Sequence, residues 1–185
     1  MAIVYLLSAA EFKTYTPVHG NVDDKFIQQS ILACQDMYVT EIVGTDLYNY
    51  LIANVAALSA NYKNLLQNYL HKGMRYWIMS ELCMVLDFRM TNVGVQEKYT
   101  DASNALDRNN LFTYRDDLRS KAEYFANKTK LYLCANETLF PEYSTSGDTV
   151  DSVVPKKQQF TSSIYLGNGK RKTIFPLIDD NEDCC

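Results

Sequence analysis

The stretch from Tyr62 to Phe88 constrains the fold more than any other. Tyr62, Leu65, Leu66, Tyr69, Leu70, Tyr76, Trp77, Met84, Val85 and Phe88 recur at helical spacing, and Leu82-Cys83-Met84-Val85-Leu86 then run in succession. A helix whose second half is apolar nearly all round is stable only when neighbours cover it on several sides, so the pattern predicts the central, longest helix of a bundle. Ser59 or Asn61 opens it. The remainder of the chain has to supply the covering layers.

The candidates for those layers flank it. Ser8 to Tyr15 reads as a brief helical turn, stopped at Thr16-Pro17 because the residue before proline avoids the helical region. Asn21-Val22-Asp23-Asp24 supplies capping oxygens for a second helix, in which Ile27, Ile31, Cys34, Tyr38 and Ile42 recur at steps of three and four. Gly44 is its expected stop, and Thr45 the cap of a shorter helix through Asp46, Leu47, Tyr48, Leu51 and Ile52. Beyond the central helix, Thr91 to Arg108 breaks the pattern: Asn92 and Gly94 signal a turn, Val95 to Thr100 fits a short extended piece, and Asp101-Ala102-Ser103-Asn104 is loop-like. The last long helix spans roughly 110–136, with Leu111, Arg115, Leu118, Ala122, Phe125, Thr129 and Leu133 on one face and Pro141 closing it.

From Ser144 the composition turns to Ser, Thr, Asp, Val and Gly without helical period. The expected organisation is therefore a helical domain, 1–143, and an extended C-terminal arm, 144–185. In the arm, Ser163-Ile164-Tyr165-Leu166 and Arg171-Lys172-Thr173-Ile174-Phe175 flank Gly167-Asn168-Gly169-Lys170, and Asn-Gly favours a tight turn, which predicts a short β-hairpin at about 162–176. A lone hairpin is marginally stable in water, so it is expected to dock on its own domain or on another chain. The fold class is mainly α, a helical bundle plus this arm, and 185 residues with 47% apolar content suit one domain with an appendage.

The chemistry sought in the sequence is mostly not found. A net charge of −4 opposes a protein whose main task is wrapping nucleic acid. Met1-Ala2-Ile3-Val4-Tyr5-Leu6-Leu7 lacks the basic start and the length of a signal peptide, and no run reaches the roughly 18 apolar residues of a membrane span, so a cytosolic or cytosol-assembled protein is expected. Without a secretory signal, the glycosylation patterns at Asn127 and Asn136 read as chance. Five cysteines in no zinc spacing imply no metal: Cys34, Cys83 and Cys134, about fifty residues apart, read as small core residues, and Cys184-Cys185 as a reduced tail. Glu81, inside the apolar helix, needs a partner such as Arg75, Arg89 or a residue of another helix. With His19 and His71 the only histidines, no nucleophile has an evident base. Gly167 to Thr173 fails as a phosphate-binding loop, because Ile164 and Arg171 stand where glycine and Ser or Thr are needed. No catalytic, cofactor or metal residues emerge. The 14 tyrosines suit either protein contacts or a helical core. The remaining candidates are the basic residues of the arm, Lys156, Lys157, Lys170, Arg171 and Lys172, as contacts for a partner or DNA, set against the acidic Asp179-Asp180-Asn181-Glu182-Asp183.

Leu6-Leu7-Ser8-Ala9-Ala10-Glu11-Phe12, Thr16-Pro17-Val18-His19-Gly20-Asn21-Val22-Asp23, Ile42-Val43-Gly44-Thr45-Asp46-Leu47-Tyr48 and Arg89-Met90-Thr91-Asn92-Val93-Gly94-Val95, with Tyr76-Trp77 in the central helix, resemble head-to-tail connector proteins of tailed bacteriophages over about residues 6–143. The nearest group is the ring proteins of crAss-like and other Bacteroides-infecting phages. The resemblance implies a non-enzymatic virion protein of the neck, a portal-binding adaptor forming a homo-oligomeric ring, commonly of twelve subunits, between portal protein and adjacent tail rings, through which DNA passes without sequence-specific binding. The alternatives are another neck component, such as a stopper or tail completion protein, and a cytosolic helical protein-binding module.

Overall fold

A computed structural model describes residues 3–91, 94–97, 108–144 and 152–155. Helix α1, Ala9–Tyr15, starts at Ser8, whose Oγ accepts the Glu11 N–H at 3.1 Å. Helix α2, Asp24–Cys34, is capped by Asp23 Oδ1, which accepts the Lys25 N–H at 2.9 Å. Its backbone runs on through a π-helical segment, Gln35–Val39, into α3, Thr40–Asn54. Helix α4, Ala60–Asn64, continues likewise through a π-helical segment, Leu65–Leu70, into α5, His71–Asp87. Strands β1, Phe88–Thr91, and β2, Gly94–Glu97, pair antiparallel with Phe88 opposite Glu97 and Thr91 opposite Gly94. Helix α6 is Arg108–Ala135, 28 residues; a 3-10 turn, Glu137–Leu139, leads to α7, Pro141–Ser144.

The expected bundle forms, with α5 at its centre between α2 and α6. The stripe of α2 and its continuation is buried at Ile27, Ile31, Cys34 and Ile42, and α6 buries Leu111, Leu118, Ala122, Thr129 and Leu133. Where α5 faces α6, a Cβ on Gly73 would crowd the Trp77 ring of its own helix at 3.3 Å and lie in ordinary contact with Phe125 Cβ at 3.6 Å. Many tyrosines fill interhelical space: Tyr38 stacks on Trp77 with centroids 4.9 Å apart, Tyr69 on Tyr132 at 3.9 Å, and Tyr76 on Phe125 at 5.6 Å. Tyr15, Tyr114 and Tyr124 are exposed.

One expectation needs correction. The central helix stops at Asp87, and Phe88 opens β1, because Phe88 to Thr91 finds main-chain partners in the strand after Gly94. Glu81 finds its partners on other helices, one of the expected alternatives: Tyr38 and Arg119 donate to it, and Arg75 donates to Glu11. Gly44 ends one helical run and a second follows it, as expected: with φ 78° and ψ 163° it is non-helical inside α3, and the second run reaches Asn54.

Helix α7 is fastened across the bundle. Tyr62 Oη donates to Glu142 Oε2 at 2.6 Å, and the Tyr62 ring meets Phe140 edge-on at 5.2 Å. Burial, then the bond to Glu142, pushes the Tyr62 phenol above its ordinary value. In the unfolded chain tyrosine ionises near pH 10, before the buried phenol does, so stability contributed below that pH is lost as the pH rises above about 10. Tyr62→Phe should therefore unfold about 1–2 kcal/mol more easily at pH 8, as expected for a hydrogen bond to a charged group. The difference from the parent should narrow above pH 10 in urea titrations at each pH; a constant difference would refute the linkage.

Candidate functional site

Lys156, Lys157, Lys170, Arg171 and Lys172, the expected hairpin at about 162–176 and the acidic tail all lie outside the described residues. The structure does describe the four residues just before them. Residues 152–155 lie against the kink in α3: the Thr45 N–H donates to Val153 O at 3.0 Å, and the Val153 N–H donates to Thr45 Oγ1 at 2.7 Å. The Thr45 hydroxyl, expected to cap a helix, thus accepts from the arm. Pro155 is buried over Gly44, where a Cβ would lie 2.7 Å from Pro155 Cδ and 3.2 Å from Val153 O. The combination of φ 78° and ψ 163° is open essentially to glycine alone. Gly44 therefore serves two purposes, turning the backbone to present the Thr45 N–H and leaving room for the proline ring. The signal for this was visible in the sequence as a helix stop, but nothing local pointed to a partner over a hundred residues away.

The N-terminal segment is held by side chains in a comparable way. Gln35, buried in the first π-helical segment, accepts the Leu6 N–H on Oε1 at 2.8 Å and donates from Nε2 to Val4 O at 3.2 Å. On the other side, His71 lies with Nε2 2.9 Å from Leu6 O and Nδ1 3.0 Å from Glu11 Oε1, and Arg75 reaches the same carboxylate oxygen at 3.2 Å while stacking over Tyr15. Burial holds the His71 imidazole below its ordinary value against the upward pull of Glu11 and the Leu6 carbonyl, and Arg75 adds to the downward push. The neutral ring donates to one oxygen and turns its lone pair to the other. The unfolded chain takes up the proton first, near pH 6.5, so stability falls as the pH drops below about 6.5. At 3% exposure this histidine is placed to hold a segment rather than to meet a substrate.

Glu81 sits in a half-buried network: its Oε1 accepts from Tyr38 Oη at 3.0 Å and from Arg119 at 3.1 Å. Cys34 and Cys134 are buried as expected, whereas Cys83 is half-buried. Burial pushes the Cys34 and Cys83 thiols up, away from the reactive thiolate. Among the described residues no group of His, Cys, Asp and Glu is placed to hold a metal ion, and no helix is long and apolar enough to cross a membrane.

A cleft lies among three of these helices. It encloses about 470 Å³ between the end of α1, α5 and α6. Met79 and Leu118 form an apolar floor; Tyr76, Tyr114 and Phe125 line it with rings; Lys72, Arg75 and Lys121 supply cations; and Tyr15, Thr16 and Pro17 make one lip. Lys121 is bridged to Asp117 at 2.6 Å and Arg75 to Glu11, whereas Lys72 has no ion-pair partner among the described residues. The Arg75 Nε–H is buried without an acceptor among them. Sequence reasoning missed this cleft because its three cations come from two helices, and each reads singly as solvated charge.

Over residues 39–153 the chain matches a family of unknown function, DUF6712. Neither a curated protein nor a solved structure matches it. The matched stretch opens at Val39, the last residue of a π-helical segment, and closes at Val153, whose main chain is bonded to Thr45. The match covers more than half of the chain, which belongs to the DUF6712 family.

Proposed function

We propose that the chain is a structural virion protein, a head-tail connector subunit that assembles into a homo-oligomeric ring, binds the portal protein and links it to adjacent neck or tail rings, leaving a channel for DNA. In this reading it is not an enzyme and needs no cofactor. The observation that carries the proposal is the pinned root of the arm. Residues 152–155 are fixed to α3 through both main-chain groups of Val153, which gives a subunit a defined place from which to hand a segment to a neighbour. A head-to-tail contact repeated around a closing rotation makes a ring. The exposed Tyr124 and Leu131 of α6, 64% and 55% accessible, offer apolar surface for such a contact. The strings that resemble connector proteins fall at the junctions that set this geometry: Leu6 to Phe12 at the clamped N-terminus and Ile42 to Tyr48 around the kink. Lys156, Lys157, Lys170, Arg171 and Lys172 would then meet the partner or the passing DNA.

Light scattering of the full chain, alone and mixed with the portal protein of the same virion, tests the proposal. A ring-sized species or a stable complex with the portal is expected. A monomer that stays monomeric with portal present overturns it and favours the helical protein-binding module.

A further inference from the structure

The cleft between α5 and α6 combines an apolar floor of Met79 and Leu118 with the cations Lys72, Arg75 and Lys121. Its complement is a short peptide with apolar side chains followed by carboxylates. The chain carries one such segment: Leu177-Ile178 runs directly into Asp179-Asp180-Asn181-Glu182-Asp183. Its four carboxylates match Lys72, which has no ion-pair partner among the described residues, and Arg75 and Lys121, each of which now shares a single carboxylate.

Reach also favours it. About twenty residues separate Pro155 from Leu177, which extended would span on the order of 70 Å. A body of this size has a radius of gyration of about 14 Å, so the segment can reach the cleft from wherever the arm root lies on the surface. A tether of this length also holds the segment at an effective concentration near the millimolar range, which favours the chain's own tail over that of a second copy.

We propose that the cleft is the docking site of the chain's own C-terminal segment, Leu177 to Asp183, with Leu177 and Ile178 on the Met79 and Leu118 floor and the carboxylates on Lys72, Arg75 and Lys121. The docking does not depend on the chain forming rings. It places a partner-exchangeable segment on the helical body, so a protein presenting a stronger acidic or basic surface would compete for it.

Native Cys184 provides the probe. In the full chain carrying Thr16→Cys on the lip of the cleft and Cys185→Ser, mild oxidation with diamide should give an intramolecular disulfide between positions 16 and 184, identified by peptide mass mapping. Lys72→Glu with Lys121→Glu should slow its formation at least tenfold. Both lysines are exposed, so an unchanged circular dichroism melt is expected, and replacing the four tail carboxylates by lysine in that background should restore the rate. Raising the salt to 1 M, which needs no change to the lysines, should slow the reaction as well. A rate indifferent to salt and to charge reversal overturns the docking, and a disulfide formed between molecules overturns its placement on the same chain.

Discussion

Replacing Gly44 by alanine is expected to destabilise the protein by about 3 kcal/mol, the largest effect of any single methyl addition considered. Two causes act together. The backbone at φ 78° and ψ 163° costs a residue with a Cβ on the order of 1–3 kcal/mol. The added carbon would also lie 2.7 Å from Pro155 Cδ, a distance that forces the proline ring or the kink to move. If α3 relaxes, the Thr45 N–H loses its aim at Val153 O; if the arm relaxes, Pro155 leaves its buried seat. Either way, hydrogen exchange at Thr45 and Val153 should rise well beyond the global change. For a chain of this length the loss corresponds to a melting temperature lower by roughly 6–12 °C. Unchanged protection at both amides would show that the arm root is not held by this kink.

His71→Leu should follow, at about 2–3 kcal/mol. The substitution keeps an apolar volume of similar size but leaves the Leu6 carbonyl, buried under His71, without its partner, and such an acceptor costs on the order of 1–3 kcal/mol. Glu11 keeps Arg75, so the carboxylate is not stranded. The damage should concentrate on residues 3–15, with faster hydrogen exchange there than in α5 or α6. It should also depend on pH. The parent loses stability below about pH 6.5 because its imidazole is held below the ordinary value, and the leucine variant has no such loss, so the difference between them should narrow on acidification. A His71 titration midpoint above 6.5 by NMR would mean that the two facing oxygens outweigh burial, and would reverse this pH dependence.

These two sites show what the sequence made legible and what it hid. Helical periodicity found the central helix, the stripe of α2 and the buried face of α6, because each depends on spacing within one segment. The capping oxygens of Asn21 to Asp24 were legible for the same reason, and Asp23 supplies the cap. The end of α5 was not: whether Phe88 continues a helix or starts a strand is decided by a partner strand six residues later, and its apolar character suits both. Glu81 announced a need for a partner, but that Arg119 supplies it is set by how α5 and α6 are rotated against each other. Gln35 gave no signal at all, since a buried glutamine looks like a surface one until its π-helical turn is seen to face the main chain of Val4 and Leu6. The cleft escaped for a related reason, being assembled from residues that have no reason to be read together until the helices pack.

The seat of the arm on α3 divides its residues by what evolution can change. Val153 takes part through its N–H and carbonyl, and its side chain and that of Val154 are 43% and 56% exposed. Any residue but proline could stand at 153 and keep both bonds. The demands fall elsewhere: on glycine at 44, on a hydroxyl at 45 and on the ring at 155. Relatives of this chain can thus diversify the face that residues 153 and 154 show to the outside without loosening the joint with α3.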